Sequence, residues 1–90
     1  MTSVIVFAEV DDVDKWLKAT ERPRVLTPLG ITGKCFTDSV QSNRIALFLE
    51  VPDMAAFEQF AASQEAVAAQ LAEGVRPETI VLLVEASDCL

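Results

Sequence analysis

The stretch that decides the fold is IALFLEVPDMAAFEQFAASQEAVAAQLAEGV, residues 45–75. It begins with an apolar run that only Glu50 interrupts, which is typical of a strand buried on both faces. Pro52 cannot donate a hydrogen bond to a sheet, so it marks the end of that strand. Asp53 is a favourable N-cap, and the residues that follow it predict a long helix that ends at Gly74.

The predicted helix has one apolar face, because its apolar residues recur at steps of three and four. That face comprises Met54, Phe57, Phe60, Ala61, Gln64, Val67, Ala68, Leu71 and Val75. Three glutamates are expected on the outer side, namely Glu58, Glu65 and Glu73. Ser63 is expected either to kink the helix or to restart it as a second N-cap. We expect Phe57, Phe60 and Leu71 to pack onto a sheet.

One further strand–helix signal precedes this stretch. A β-branched strand is predicted over residues 4–10, and Asp11 or Asp12 is expected to cap a helix that Pro23 limits. The inner face of that helix is expected to comprise Val13, Trp16, Leu17 and Thr20.

The other strands are shorter or less regular. Residues 31–38 form a weaker strand whose Gly33 is typical of an edge or a bulge. A polar hairpin connection over residues 39–43 leads into the central strand, and a last strand is predicted over residues 79–86. The order is therefore β-α-β-β-α-β, that of the ferredoxin-like α+β fold.

This topology predicts an antiparallel sheet in the order 4-1-3-2 with both helices on one face. Side chains alternate between faces along a strand, so the opposite face can be identified from the sequence. It comprises Ile5, Phe7, Ala46, Phe48, Val81 and Leu83, and it ends in Glu9, Glu50 and Glu85. An apolar face this wide exceeds what a monomer normally exposes. We therefore expect a homodimer joined sheet to sheet through the six apolar residues.

Composition excludes several classes of protein. The 90 residues are 51% apolar, have a net charge of −7 and contain no histidine. The negative charge argues against nucleic acid and anionic membranes as partners. Because histidine, the commonest metal ligand and general base, is absent, we expect no metal, haem or other cofactor. The chain shows no membrane-length apolar run and no signal-peptide pattern. We therefore expect one cytoplasmic domain, residues 1–90, with its core over residues 4–86.

Cys35 and Cys89 lack the spacing of a metal-binding or redox motif. A disulfide between them is disfavoured in a cytoplasmic protein, although a redox role stays open. Because no base lies near Cys35 in the sequence, an inert and partly buried thiol is expected there.

A short segment of the long helix carries a family resemblance. Residues 56–63 read AFEQFAAS, and they match the pattern Ala-hydrophobic-x-x-His-x-x-Ser except that Phe60 stands where the histidine would. Over residues 4–86 the chain resembles the dimeric α+β barrel superfamily, nearest to its small antibiotic-biosynthesis-monooxygenase-like proteins. The resemblance implies two ferredoxin-like sheets packed face to face. It also implies a monooxygenase-like site from which the histidine is missing.

The candidate ligand-binding residues are Trp16, Glu50, Phe60 and Glu85, and no catalytic residue is assigned. Glu50 and Glu85 are expected about 10 Å apart at one end of the sheet face opposite the helices. They are expected either to hold a small polar ligand or water between them or to form a solvated rim of the dimer. Trp16 is expected either in a cleft under the first helix or in the core. The prediction is a homodimer that holds a small hydrophobic molecule between sheet and helices. A cofactor-free monooxygenase or isomerase, and a purely structural or regulatory dimerisation module, stay open.

Overall fold

The computed structural model describes residues 1–40 and 43–90, so part of the predicted connection over residues 39–43 lies outside the described residues. Its helices and strands are β1 (Thr2–Glu9), α1 (Val13–Leu17), α2 (Glu21–Leu26), β2 (Thr32–Thr37), β3 (Arg44–Val51), α3 (Met54–Ala61), α4 (Gln64–Ala72) and β4 (Val81–Val84). Short 3₁₀ turns at Thr27–Leu29 and Pro77–Thr79 precede β2 and β4. None of the helices within the described ranges has the length and apolarity needed to cross a membrane.

The four strands form one antiparallel sheet in the order β2-β3-β1-β4, which confirms the predicted ferredoxin-like class. β2 lies at an edge, as expected, but its register with β3 is continuous and Gly33 pairs with Leu49 without a bulge. A side chain at Gly33 would collide with the backbone oxygen of Phe48 and the side chain of Leu49, so close strand approach explains the glycine.

The core lies between the sheet and the helices in two clusters of buried side chains. One comprises Val4, Ile31, Leu49, Val51 and Phe57. The other comprises Ala8, Val10, Trp16 and Ile45. Leu47 of β3 packs against both clusters. On the edge strand β4, Leu82 and Val84 pair with Val6 and Val4 on the helix side of the sheet, but both stay exposed.

The first predicted helix is divided in two. Asp12 caps α1 by accepting a hydrogen bond from the Lys15 backbone N–H at 3.2 Å. The prediction that Pro23 limits this helix is wrong, because Pro23 lies in the first turn of α2, where its missing N–H costs nothing. Leu17, predicted on the inner face, is 45% exposed because Trp16 occupies the inward direction of this one-turn helix.

The long helix also breaks, and the restart at Ser63 is confirmed. Its hydroxyl accepts a hydrogen bond from the Ala66 backbone N–H at 3.2 Å, and its extended backbone separates α3 from α4. The break rotates the buried face of α4, which now comprises Ala66, Ala69 and Glu73. The predictions that Leu71 packs onto the sheet and that Glu73 lies outside are therefore wrong, since Leu71 is 61% exposed. In α3, Phe57 is buried as predicted, and Phe60 is half-buried.

Candidate functional site

A cavity of about 130 Å³ lies between the inner face of the sheet and the helices. Leu47 lies on its sheet side, and Trp16 and Phe60 contribute aromatic walls. α4 contributes Ala66 and Ala69, whose methyl groups are too small to fill the space above the sheet. The cavity therefore follows from the rotation of α4 after Ser63, which turns Ala66 and Ala69 inward and leaves Val67 and Leu71 exposed.

One end of the cavity carries an ion pair between α2 and the C-terminus of α4. The Arg22 Nη1 donates to Glu73 Oε1 at 3.1 Å, and the Arg22 backbone N–H donates to Glu73 Oε2 at 3.1 Å. The two side chains are only 13% and 7% exposed. Gln70, one turn before Glu73, also lines the cavity, so its polar groups are gathered on the helical side.

The guanidinium of Arg22 is held by three further contacts. Its carbon lies 4.4 Å from the centroid of the Trp16 ring, within the range of a cation–π interaction. Its Nη2 donates to the Trp16 carbonyl oxygen at 3.2 Å and approaches the Cys35 Sγ at 3.6 Å. Arg22 thus links α1, α2, α4 and β2 around the cavity.

Burial raises the pKa of the Glu73 carboxyl above its ordinary value, and the positive charge of Arg22 opposes this shift without cancelling it. Glu73 is also the C-cap of α4, where the negative end of the helix dipole disfavours a carboxylate. The ionised form of Glu73 is therefore energetically unfavourable at this position, and its hydrogen bonds and ion pair with Arg22 offset part of that unfavourable free energy.

The four candidate ligand-binding residues fall into two separate places. Trp16 and Phe60 line the cavity, whereas Glu50 and Glu85 belong to the other side of the sheet. Glu50 accepts hydrogen bonds from the Ser3 hydroxyl at 3.1 and 3.2 Å, and Glu85 accepts one from the Ser3 backbone N–H at 2.9 Å. The two glutamates share an end as expected, but Ser3 stands between them. The ligand-binding role of the four residues stays a prediction.

The strand register places the six predicted interface residues on one face. Ile5 is opposite Phe48 and Leu83, and Phe7 is opposite Ala46 and Val81. Phe36 of β2 pairs with Ala46 and extends the same face, a residue that sequence reasoning missed. Phe7, Phe36, Val81 and Leu83 are exposed, and the other three are half-buried. We call these seven residues the open face.

Sequence reasoning also missed the ion pair in the cavity. If Ser63 is treated as a definite restart, Glu73 follows Ala66 and Ala69 at steps of three and four and falls on the buried face. No comparable sequence pattern indicates that Arg22 lies at the cavity. Cys35, expected to be partly buried, is exposed, and both it and Cys89 are free thiols. In the part of the chain that the structure describes, no three cysteine or carboxylate side chains converge as metal ligands would.

No protein-family model matches the chain, and no curated protein matches it. Its fold is similar to a crystal structure of an antibiotic biosynthesis monooxygenase, with a TM-score of 0.68 and 16% identity over 98% of this chain and 99% of that one. It is also similar to a putative antibiotic biosynthesis monooxygenase from Deinococcus radiodurans, with a TM-score of 0.55 and 12% identity over 100% and 96% of the two chains. The resemblance inferred from the sequence is thus confirmed at the level of the fold.

Proposed function

We propose that the protein binds a small, largely apolar molecule in the cavity between its sheet and its helices. The observation that carries this proposal is the cavity of about 130 Å³, with its largely apolar wall. Folded interiors contain few voids larger than a water molecule. A bound apolar molecule would make contacts with this wall that an unfilled cavity lacks.

Thermal unfolding in the presence of toluene tests this proposal. A ligand that binds only the folded state stabilises it by RT ln(1 + [L]/Kd), so the melting temperature rises with the free ligand concentration. We expect toluene to raise the melting temperature of the wild-type protein. Ala69→Leu should abolish the rise, because the larger side chain fills the cavity.

The matched control is Ala68→Leu, which adds the same side chain at an exposed position of the same helix. It should keep the wild-type response to toluene. An unchanged melting temperature in the wild type, or an equal rise in Ala69→Leu, would contradict binding in the cavity. Circular dichroism checks that both variants are folded.

A cofactor-free enzyme acting in the same cavity is the second candidate. The two similar structures are named as monooxygenases, which favours a small-molecule site over a purely structural module. Arg22 and Glu73 supply the cavity with charged side chains. Phe60 occupies the position of the histidine in the family pattern, so any chemistry would have to use other residues.

We further propose that the protein is a homodimer joined through the open face. This face has an apolar centre between charged ends, with Glu50 and Glu85 at one end and Glu9 with Arg76 at the other. A partner related by a two-fold axis presents the same surface. The apolar centre of one copy can therefore pack on the apolar centre of the other, while the charged ends of both stay near water.

A further inference from the structure

We infer that the Arg22–Glu73 pair selects the ligand, and that the cavity takes a neutral single-ring molecule with one hydroxyl group in preference to a hydrocarbon or a carboxylate of similar size. This inference rests on the proposed function, since it concerns what the same cavity admits. Three features support it: the volume of the cavity, the position of its polar groups and the charge balance of the pair.

The volume limits the ligand to about one ring. The cavity measures about 130 Å³. An apolar cavity of about 150 Å³ in another protein accommodates benzene, so a six-membered ring with one small substituent is the size that fits here. The half-buried Phe60 gives such a ring an aromatic surface to contact, and the fully buried Trp16 backs the same wall.

The polar groups at one end favour a hydroxyl substituent. Glu73 offers acceptor oxygens, and Gln70 offers both a donor and an acceptor. A hydroxyl group can donate to the Glu73 carboxylate and accept from Gln70 at the same time. A hydrocarbon would displace water from these groups without replacing its hydrogen bonds.

The charge balance disfavours an anionic ligand. The guanidinium of Arg22 already neutralises Glu73, at 3.1 Å. A second carboxylate would bring an uncompensated negative charge beside Glu73 in a largely apolar cavity, where repulsion and desolvation are both expensive. Although Arg22 is cationic, its guanidinium is already occupied by its contacts with Glu73 and Trp16, so it does not pair with a ligand carboxylate.

Isothermal titration calorimetry with toluene, phenol and benzoate at neutral pH tests the inference, because the three probes share one ring and differ in a single substituent. We expect phenol to bind at least about tenfold more tightly than toluene, as a hydrogen bond to a charged group allows. Benzoate should bind more weakly than toluene.

Glu73→Gln keeps the shape of the side chain and removes its charge. It should reduce the preference for phenol over toluene and improve the binding of benzoate, because Arg22 is then free to pair with the ligand. Glu65→Gln, at an exposed position of the same helix, is the matched control and should leave all three affinities unchanged. The wild-type series decides the preference even if Glu73→Gln proves unstable.

The outcomes separate this inference from the proposed function. If none of the three probes binds, both fail. If toluene binds as tightly as phenol, or if benzoate binds most tightly, the proposed function stands and the selectivity is overturned. Unchanged ratios in a folded Glu73→Gln variant would also overturn it, since the pair would then play no part in selection.

Discussion

Glu73 and Arg22 form the most buried ion pair of the described residues, and burial makes the pair sensitive to pH. The pKa of Glu73 is raised above 4.5, the ordinary value that it regains in the unfolded chain. The folded state therefore holds the proton more tightly than the unfolded state does. The free energy of unfolding consequently falls as the pH rises through the window between the two pKa values.

Comparing the wild type with Glu73→Gln isolates this effect, because all other carboxyl groups titrate in both proteins. We expect the stability of the wild type relative to the variant to decrease as the pH rises from about 4.5 toward neutrality. Urea denaturation at a series of pH values measures the difference. A stability difference that is independent of pH, or that grows with pH, would show that Glu73 is not destabilised by burial.

Phe57 and Phe60 lie three residues apart on α3 but differ in burial. Phe57 is 6% exposed within a core cluster, whereas Phe60 is half-buried at the cavity wall. We expect Phe57→Ala to lower the free energy of unfolding by about 3–5 kcal/mol and Phe60→Ala to lower it by roughly half as much. The reason is that a half-buried side chain beside an existing cavity makes fewer contacts that can be lost. Equal losses in chemical denaturation would contradict this placement.

At the scale of the elements, the break between α3 and α4 determines the site. Ser63 restarts the helix and turns Ala66, Ala69 and Glu73 toward the sheet. We expect Ser63→Ala to cost about 1 kcal/mol, because the Ala66 backbone N–H loses its acceptor. Ser63→Asp, which keeps an N-cap acceptor, should stay close to the wild type in urea denaturation. If both variants lose the same free energy of unfolding, the N-cap hydrogen bond does not stabilise the start of α4.

The fold was predictable from the sequence because strand faces follow a strict alternation. Ile5 and Phe48 could be assigned to the same face without knowledge of distant contacts. Helix phase was less predictable, because a single N-cap such as Ser63 resets it. The Arg22–Glu73 contact could not be predicted, since it joins residues 51 positions apart on separate helices. Trp16 and Phe60 were predicted at the site because each lies on an apolar helical face.

The described helices all pack on one side of the sheet, so no described part of the chain covers the open face. We expect the protein to sediment as a dimer at micromolar concentration, because such an apolar face favours association. Phe48→Asp should yield a monomer with a lower melting temperature, whereas the melting temperature of the wild-type dimer should rise with protein concentration, since folding and association are linked in the dimer.

The control is Leu71→Asp, which places the same charge on an exposed apolar residue of α4, away from the open face. It should sediment as the wild type does. A wild-type monomer, or a dimer that Leu71→Asp disrupts and Phe48→Asp does not, would contradict association through the open face.

The most direct test of ligand binding in the cavity is the NMR signal of the Trp16 indole N–H. Trp16 is the only tryptophan in the chain, and its ring lines the cavity, so one assigned resonance reports on the site. We predict that this resonance shifts when phenol or toluene is added to the wild-type protein and stays in place in Ala69→Leu. A resonance that does not move in the wild type, or that moves equally in Ala69→Leu, would contradict ligand binding in the cavity.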